Sequence, residues 1–378
     1  MWSASSSALA STKRSGCKRS WLAGPDAPSG WIPHHRTTAP IIAPVSTITV
    51  GGRPVGDDAS TYVIAEIGSN HDGSLDEAIR LIEAATGAGA DCVKFQAFRA
   101  ETLVAPFHPG YATLERLALP SSWLPDLKAA AERCGVHFTA TPFDMQAVRD
   151  LVAVGAPLLK IASGDLTYTD LLEAAAATGL PLVVSTGAAN LAEVDASMRT
   201  MQSAGATQIA LMHCASVYPA TFDAANVRAV ATLIAAFGVP VGFSDHTPGH
   251  AAALAAVALA GRLIEKHITF DRAQPGPDHS YALTVAEFAD MASDIRALEA
   301  SLGSGVKEPV EAELGEREWA RRGVYAARPL EAGRELSAED LICLRPLKGI
   351  SATRRKELIG RRISRGLEAL APIQWEDL

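Results

Sequence analysis

Two histidines carry the strongest chemical signal in this chain: His246 in GFSDHTPG and His267 in IEKHITFD, 21 residues apart. Each follows a short apolar run and precedes a polar turn. Neutral imidazole is a common ligand of divalent transition metals, and a pair leaves positions free for water and a substrate oxygen, as metal-assisted carbonyl chemistry requires. Residues 239–243 and 262–265 read as consecutive buried strands, with the Ala-rich stretch 251–260 as the crossover helix between them. Parallel neighbours of that kind carry both imidazoles to one face. Taken alone, two ordinary loop histidines would be the better reading; the company they keep decides otherwise.

The elements that must position them repeat along the chain. Short β-rich apolar runs at 62–67, 92–96, 137–140, 158–161, 182–185, 208–213, 239–243 and 262–267 alternate with amphipathic stretches such as 75–88, 169–178 and 191–204. Eight such units in roughly 240 residues are the expected size of a TIM (β/α)8 barrel, whose chemistry sits at the C-terminal ends of the strands. No GxGxxG follows the first run, which counts against an open dinucleotide-binding sheet.

The polar residues fall where a barrel would need them. Glu66, Asn70 and His71 follow the first run, Lys94 and Gln96 lie in the second, and Thr141 follows the third. Lys160, Ser163 and Asp165 end the fourth, Ser185 the fifth, and His213, Ser216 and Tyr218 the sixth. Lys94 and Lys160 interrupt otherwise apolar strands, and a lysine is seldom buried without an anionic partner. With hydroxyl and backbone donors from the SG and STG turns they form a cradle for the phosphate and carboxylate of one small ligand.

Composition bounds the remaining possibilities. A chain of 378 residues that is 48% apolar supports a large core, and a net charge of −8 argues against non-specific nucleic-acid binding. Five scattered cysteines without metal-ligand spacing fit reduced thiols in a cytoplasmic protein. No apolar run long enough for a membrane span or secretory h-region is present. Residues 1–46 are rich in Ser, Pro and Ala with early basic residues, and read as a poorly ordered extension, a transit peptide or an overextended start.

The segments VIAEIGSNHDGS, VKFQAF, TATPFD, LKIASGD, VVSTGA, LMHCASVYP, GFSDHT and EKHITFD resemble, in the same order, those of the sialic acid synthase family, the phosphoenolpyruvate-dependent synthases of nonulosonates. The resemblance runs from about Ile48 to the C-terminus. It implies a barrel domain at 47–302, a linker at 303–320 and a small antifreeze-like (SAF) domain at 321–378. It also implies that His246 and His267 hold Mn²⁺ or Mg²⁺, and that Lys94, Thr141, Lys160, Ser163, Ser185 and Ser216 bind phosphoenolpyruvate. Glu66, Gln96, Asp165, Tyr218 and Asp278 match positions around the acceptor sugar and the reacting centre, with Glu66 and Asp165 as the carboxylates available for proton transfer. The best-known members carry Glu where Asp165 stands and Asn where Ser216 stands. Arg322 matches an arginine that meets the acceptor's N-acyl group from the partner chain of a domain-swapped homodimer. The activity implied is condensation of phosphoenolpyruvate with N-acetylmannosamine, or with a diacetamido sugar for a legionaminate-type or pseudaminate-type product. A 3-deoxy-octulosonate phosphate synthase would lack the C-terminal domain. A catalytically silent sugar-binding or ice-binding protein has little reason to keep the histidines, lysines and carboxylates together.

Overall fold

The computed structural model describes residues 45–378. The extension expected at 1–46 therefore lies outside the described residues except for its last two. Eight parallel strands form the larger unit: β1 Tyr62–Gly68, β2 Cys92–Ala97, β3 His137–Pro142, β4 Leu159–Ile161, β5 Leu182–Ser185, β6 Ile209–Cys214, β7 Val241–Asp245 and β8 Leu263–Thr269. Ladder hydrogen bonds join them in the order 3-2-1-8-7-6-5-4, and Leu283–Thr284 adds a short parallel pairing to β8. Across the remaining gap the Thr139 hydroxyl donates to the Leu158 carbonyl at 2.8 Å, so the barrel is nearly closed.

Period-two alternation sorts each strand. Tyr62 and Ile64 of β1, Cys92 of β2, Val183 of β5, Ala210 and Met212 of β6 and Leu263 of β8 pack into one interior apolar layer. The hairpin strands Ile48–Val50 and Arg53–Val55 add Ile48, Val50 and Val55 to that layer and plug the N-terminal end of the barrel. The next inward position up each strand is Glu66, Lys94, Ser185, Cys214 or Glu265. A dry layer therefore underlies a polar one, as the packed interior of such barrels requires.

Helices cover the outside for the usual reason. In Leu75–Gly87 the buried residues Ala78, Leu81, Ile82 and Ala85 recur at i, i+3, i+4 and i+7, and the Ser74 side chain caps the start by accepting from the Glu77 amide. The expected crossover at 251–260 is the helix Ala251–Ala258.

The largest shift in where a strand starts is in β7. β7 begins at Val241, two residues later than the apolar run, because Pro240 has no N–H to give the ladder; only its carbonyl is used, accepting from the Leu211 amide at 2.9 Å. Asp245 thus belongs to the strand, and His246 follows it directly.

The C-terminal unit has its own core of Val324, Leu330, Leu336, Ile350, Leu358, Ile363 and Ile373, built around the antiparallel pair Gly323–Ala326 and Leu341–Leu344. Buried Asp340 anchors it, accepting from Arg328 Nε at 2.8 Å and the Ser337 amide at 2.9 Å, and these donors hold its carboxyl well below the usual range despite desolvation. Within the stretch expected to be a linker, Glu311–Glu313 forms a 3-10 turn and Leu314–Ala320 a short exposed helix. Among the described residues no helix is long and apolar enough to cross a membrane, and Cys92, Cys134, Cys214 and Cys343 are free thiols.

Candidate active site

The polar layer opens into a cavity of about 590 Å³ at the C-terminal ends of the strands. Every residue that the resemblance places at the site lines it except Asp165 and Arg322, while Asn70, His71 and His213, also at strand ends, do not. A bulge between Glu66 and Gly68 shifts the β1–β2 register here, and Gly68 takes φ +57°, where a side chain would strike Asp278. Gly187 is also required: any side chain there would collide with Ser216, Cys214 and Ser163, and its amide donates to Ser163 Oγ at 3.0 Å.

Four charges make the floor. Lys94 Nζ lies 2.6 Å from Glu66 Oε2 and 3.8 Å from Glu265 Oε1, while Lys160 Nζ lies 3.4 Å from Glu265 Oε2. All four side chains are buried. Lys94 also donates to Thr141 Oγ1 at 3.2 Å, Lys160 to Ser185 Oγ at 2.7 Å, and Ser244 Oγ to Glu265 at 2.9 Å. Burial alone would raise Glu265, but Lys160 and Lys94 outweigh it and hold its carboxyl down at about 2. Burial likewise opposes the Lys94 ammonium, yet Glu265 and Glu66 together raise its pKa. Lys160 has less carboxylate around it, and desolvation lowers its pKa. Glu66 is raised by burial, with Lys94 pulling the other way. The anionic partners that two buried lysines demanded are thus Glu66 and Glu265.

The histidines stand at the rim of this floor with ring centroids 5.5 Å apart. Tyr218 packs edge-on to His246 at 4.4 Å and Tyr281 edge-on to His267 at 5.0 Å. Desolvation, with help from His267, pushes His246 down to about 3, which keeps its imidazole neutral and able to ligate. The Nδ1 atoms of both rings are buried without a hydrogen-bond partner. Asp278 Oδ2 lies 3.9 Å from His267 Nδ1; the carboxylate also accepts from Tyr281 Oη at 2.7 Å and Ser69 Oγ at 3.1 Å. Two buried, orphaned ring nitrogens suit a divalent cation. Among the described residues no group of three or more His, Cys, Asp or Glu side chains is arranged as a closed metal cage, so any ion held here would keep positions open.

Asp165 sits in the 3-10 turn Ser163–Asp165, outside the cavity lining, with Oδ2 buried and unpartnered. Desolvation pushes its carboxyl up to about 6. A carboxyl raised in the folded state binds a proton that the unfolded chain has already lost, so stability falls as pH rises from about 4 to about 6 and stays low above that. Asp165→Asn should therefore leave stability unchanged near pH 4 and increase it at pH 7.5, as measured by urea unfolding at both values. Equal stability of variant and parent at pH 7.5 would refute the burial penalty. Arg322 lies in the C-terminal unit, where its Nη1 donates to the Cys343 carbonyl at 3.0 Å.

Sequence reading missed Glu265, Ser244, Tyr281 and Cys214. A signal existed for two of them: residues two apart on a strand share a face, so His267 points back to Glu265 and His246 to Ser244.

Comparison with known proteins gives this site its class. The NeuB family model matches residues 81–307, and the SAF domain model matches residues 321–378. N,N'-diacetyllegionaminic acid synthase of Legionella pneumophila is 37% identical over 87% of this chain and 97% of its own. N-acetylneuraminate-9-phosphate synthase of Mus musculus is 32% identical over 77% of this chain and 84% of its own. The crystal structure of N-acetylneuraminic acid (sialic acid) synthetase from Leptospira borgpetersenii in complex with citrate superposes with a TM-score of 0.69 at 33% identity, covering 72% of this chain and 95% of that one. A barrel with this mouth is thereby a phosphoenolpyruvate-dependent sugar-acid synthase, with nonulosonates as its product class. The chain belongs to the NeuB family and ends in a SAF domain.

Proposed function

We propose that this protein condenses phosphoenolpyruvate with an open-chain N-acylated hexosamine such as N-acetylmannosamine, and with water, to give a nine-carbon 2-keto sugar acid and phosphate. The observation that carries the reading is that Lys94, Lys160, Glu66, His246 and His267 share one cavity. Lys94 and Lys160, with Thr141, Ser163, Ser185 and Ser216, hold the phosphate and carboxylate. C3 of phosphoenolpyruvate bonds to the acceptor's aldehyde carbon, water adds at C2, and C–O cleavage releases phosphate. A divalent ion, Mn²⁺ or Mg²⁺, bound by His246 and His267 would supply Lewis acidity at the acceptor's carbonyl oxygen. Glu66, raised by burial and hydrogen-bonded by Gln96 Nε2 at 2.9 Å, is the carboxyl that moves a proton or orients water at the reacting carbons. Asp278, which lies 3.9 Å from His267 Nδ1, and Tyr218 wall the acceptor side of the mouth. The lysines stabilise the departing phosphate electrostatically.

A diacetamido-dideoxy acceptor is the second reading, favoured by the higher identity and fuller coverage of the legionaminic acid synthase than of the neuraminate 9-phosphate synthase. Purified protein should be assayed for phosphate and 2-keto acid with phosphoenolpyruvate and each acceptor in turn. Turnover with N-acetylmannosamine supports the first reading and turnover with the diacetamido sugar alone the second. Turnover with neither would sink both.

The free thiols support work in a reducing compartment, the cytoplasm. The working unit proposed is a homodimer in which Arg322 of one protomer offers its planar donor fork to the acceptor held by the other. An Arg321→Ala/Arg322→Ala variant and a His267→Ala variant, each nearly inactive, should then regain activity when co-folded as heterodimers, since one cavity inherits both lesions and the other neither. No recovery in confirmed heterodimers would exclude the exchange.

A further inference from the structure

Between Glu265 and His267, both of which line the cavity, β8 carries Lys266, which the alternation of the strand turns to the opposite side. Its side chain is completely buried, as is that of Asp245, its cross-strand neighbour on β7. Lys266 Nζ donates to Asp245 Oδ2 at 2.8 Å and to the Thr247 carbonyl at 2.5 Å. The other oxygen of Asp245 accepts from both the amide and the hydroxyl of Thr247 at 2.8 Å. The residues immediately before and after His246 are thus tied to one cation, and that cation sits next to His267 in sequence. The His246 carbonyl accepts from the Ala220 amide at 3.0 Å, a further tie on this backbone.

Stability alone does not account for such an arrangement. Replacing a buried ion pair by apolar side chains of similar volume is often neutral or stabilising, because desolvating two charges costs as much as their attraction returns. What charged and directional bonds supply is a fixed geometry, and the geometry held here is the separation of two imidazoles, one in β8 and one just past the end of β7. We propose that Lys266 is a positioning residue: through Asp245 and Thr247 it holds His246 at the spacing from His267 that a divalent cation needs, without touching substrate or ion itself. This rests on the reading of the two histidines as a metal pair. The same logic makes partners behind a ligating histidine worth about 10- to 100-fold in metal affinity elsewhere.

The test measures Mn²⁺ affinity of the metal-stripped full-length protein by calorimetry and electron paramagnetic resonance, alongside thermal unfolding and metal-free phosphoenolpyruvate affinity. The variants are Lys266→Met, the apolar-pair variant Asp245→Leu/Lys266→Met, and His267→Ala as reference. The double variant avoids stranding a buried carboxylate; it leaves the Thr247 amide and hydroxyl without their acceptor, a smaller loss, and is the one of the two expected to stay folded. Folded variants should bind Mn²⁺ about 10- to 100-fold more weakly, with phosphoenolpyruvate affinity unchanged. A folded double variant that binds Mn²⁺ as the parent does would overturn the positioning role while leaving the metal pair intact. Parent protein that binds no Mn²⁺, or a His267→Ala variant that binds it equally well, would overturn the metal pair and the positioning role together. Failure of both Lys266 variants to fold would make the cluster a folding element and overturn the proposal.

Discussion

His246→Ala and His267→Ala each abolish most turnover while the protein stays folded, and chelation of the parent does the same until Mn²⁺ is returned. The expected loss exceeds about 100-fold, the upper end of what removing a supporting partner behind a metal ligand costs. Survival of the fold follows from the environment of these rings. Burial keeps His246 uncharged, its Nδ1 has no partner to strand, and both rings face a cavity, so alanine leaves no unpaired charge behind. The checks are steady-state kinetics with graded Mn²⁺, together with melting temperature. Full activity of either variant in metal-stripped buffer would sink the assignment.

The second large effect comes from the lysines, and the two should behave differently. Lys94→Met strips a partner at 2.6 Å from Glu66 and a second contact from Glu265, so it should destabilise by about 3–5 kcal/mol, as breaking a buried pair does. Lys160→Met leaves Glu265 with Lys94 and the Ser244 hydroxyl and should cost less stability. Both should weaken phosphoenolpyruvate binding by about 10- to 100-fold, the worth of a charge-assisted hydrogen bond, with acceptor binding less affected. Adding Glu66→Gln to Lys94→Met should recover stability without recovering phosphoenolpyruvate affinity, which separates the two roles. Calorimetry that found phosphoenolpyruvate affinity unchanged in folded Lys94 and Lys160 variants would make them structural ions only.

Much of the fold was legible because a parallel barrel writes itself locally. Each strand is a short run of apolar and β-branched residues, covering helices such as Leu75–Gly87 repeat buried positions at three and four, and the expected strands agree with the observed ones to within two residues. The β7 shift shows the limit of such reading: an apolar run does not say where the ladder begins, and Pro240 decides it. Candidate ligands at the strand ends were legible for a similar reason, since residues that end barrel strands converge on one mouth. Asp165 shows what that reasoning leaves out. It ends a strand unit as the others do, but the 3-10 turn it occupies carries it outside the cavity lining.

By itself, then, the sequence determined the repeat, the strand faces and the set of imidazoles, ammonium groups and carboxylates available at one end of the barrel, because period-two alternation is a property of neighbouring residues. Only the tertiary structure decided which of them meet. Glu265 of β8 reaches Lys94 of β2 and Lys160 of β4, and Asp278 approaches His267 from a loop; such distances depend on ladder register and barrel closure, which no local pattern encodes. The protonation states follow from the same cause. Desolvation and the nearest opposite charge set them, and both are fixed only when strands distant in sequence enclose one buried volume.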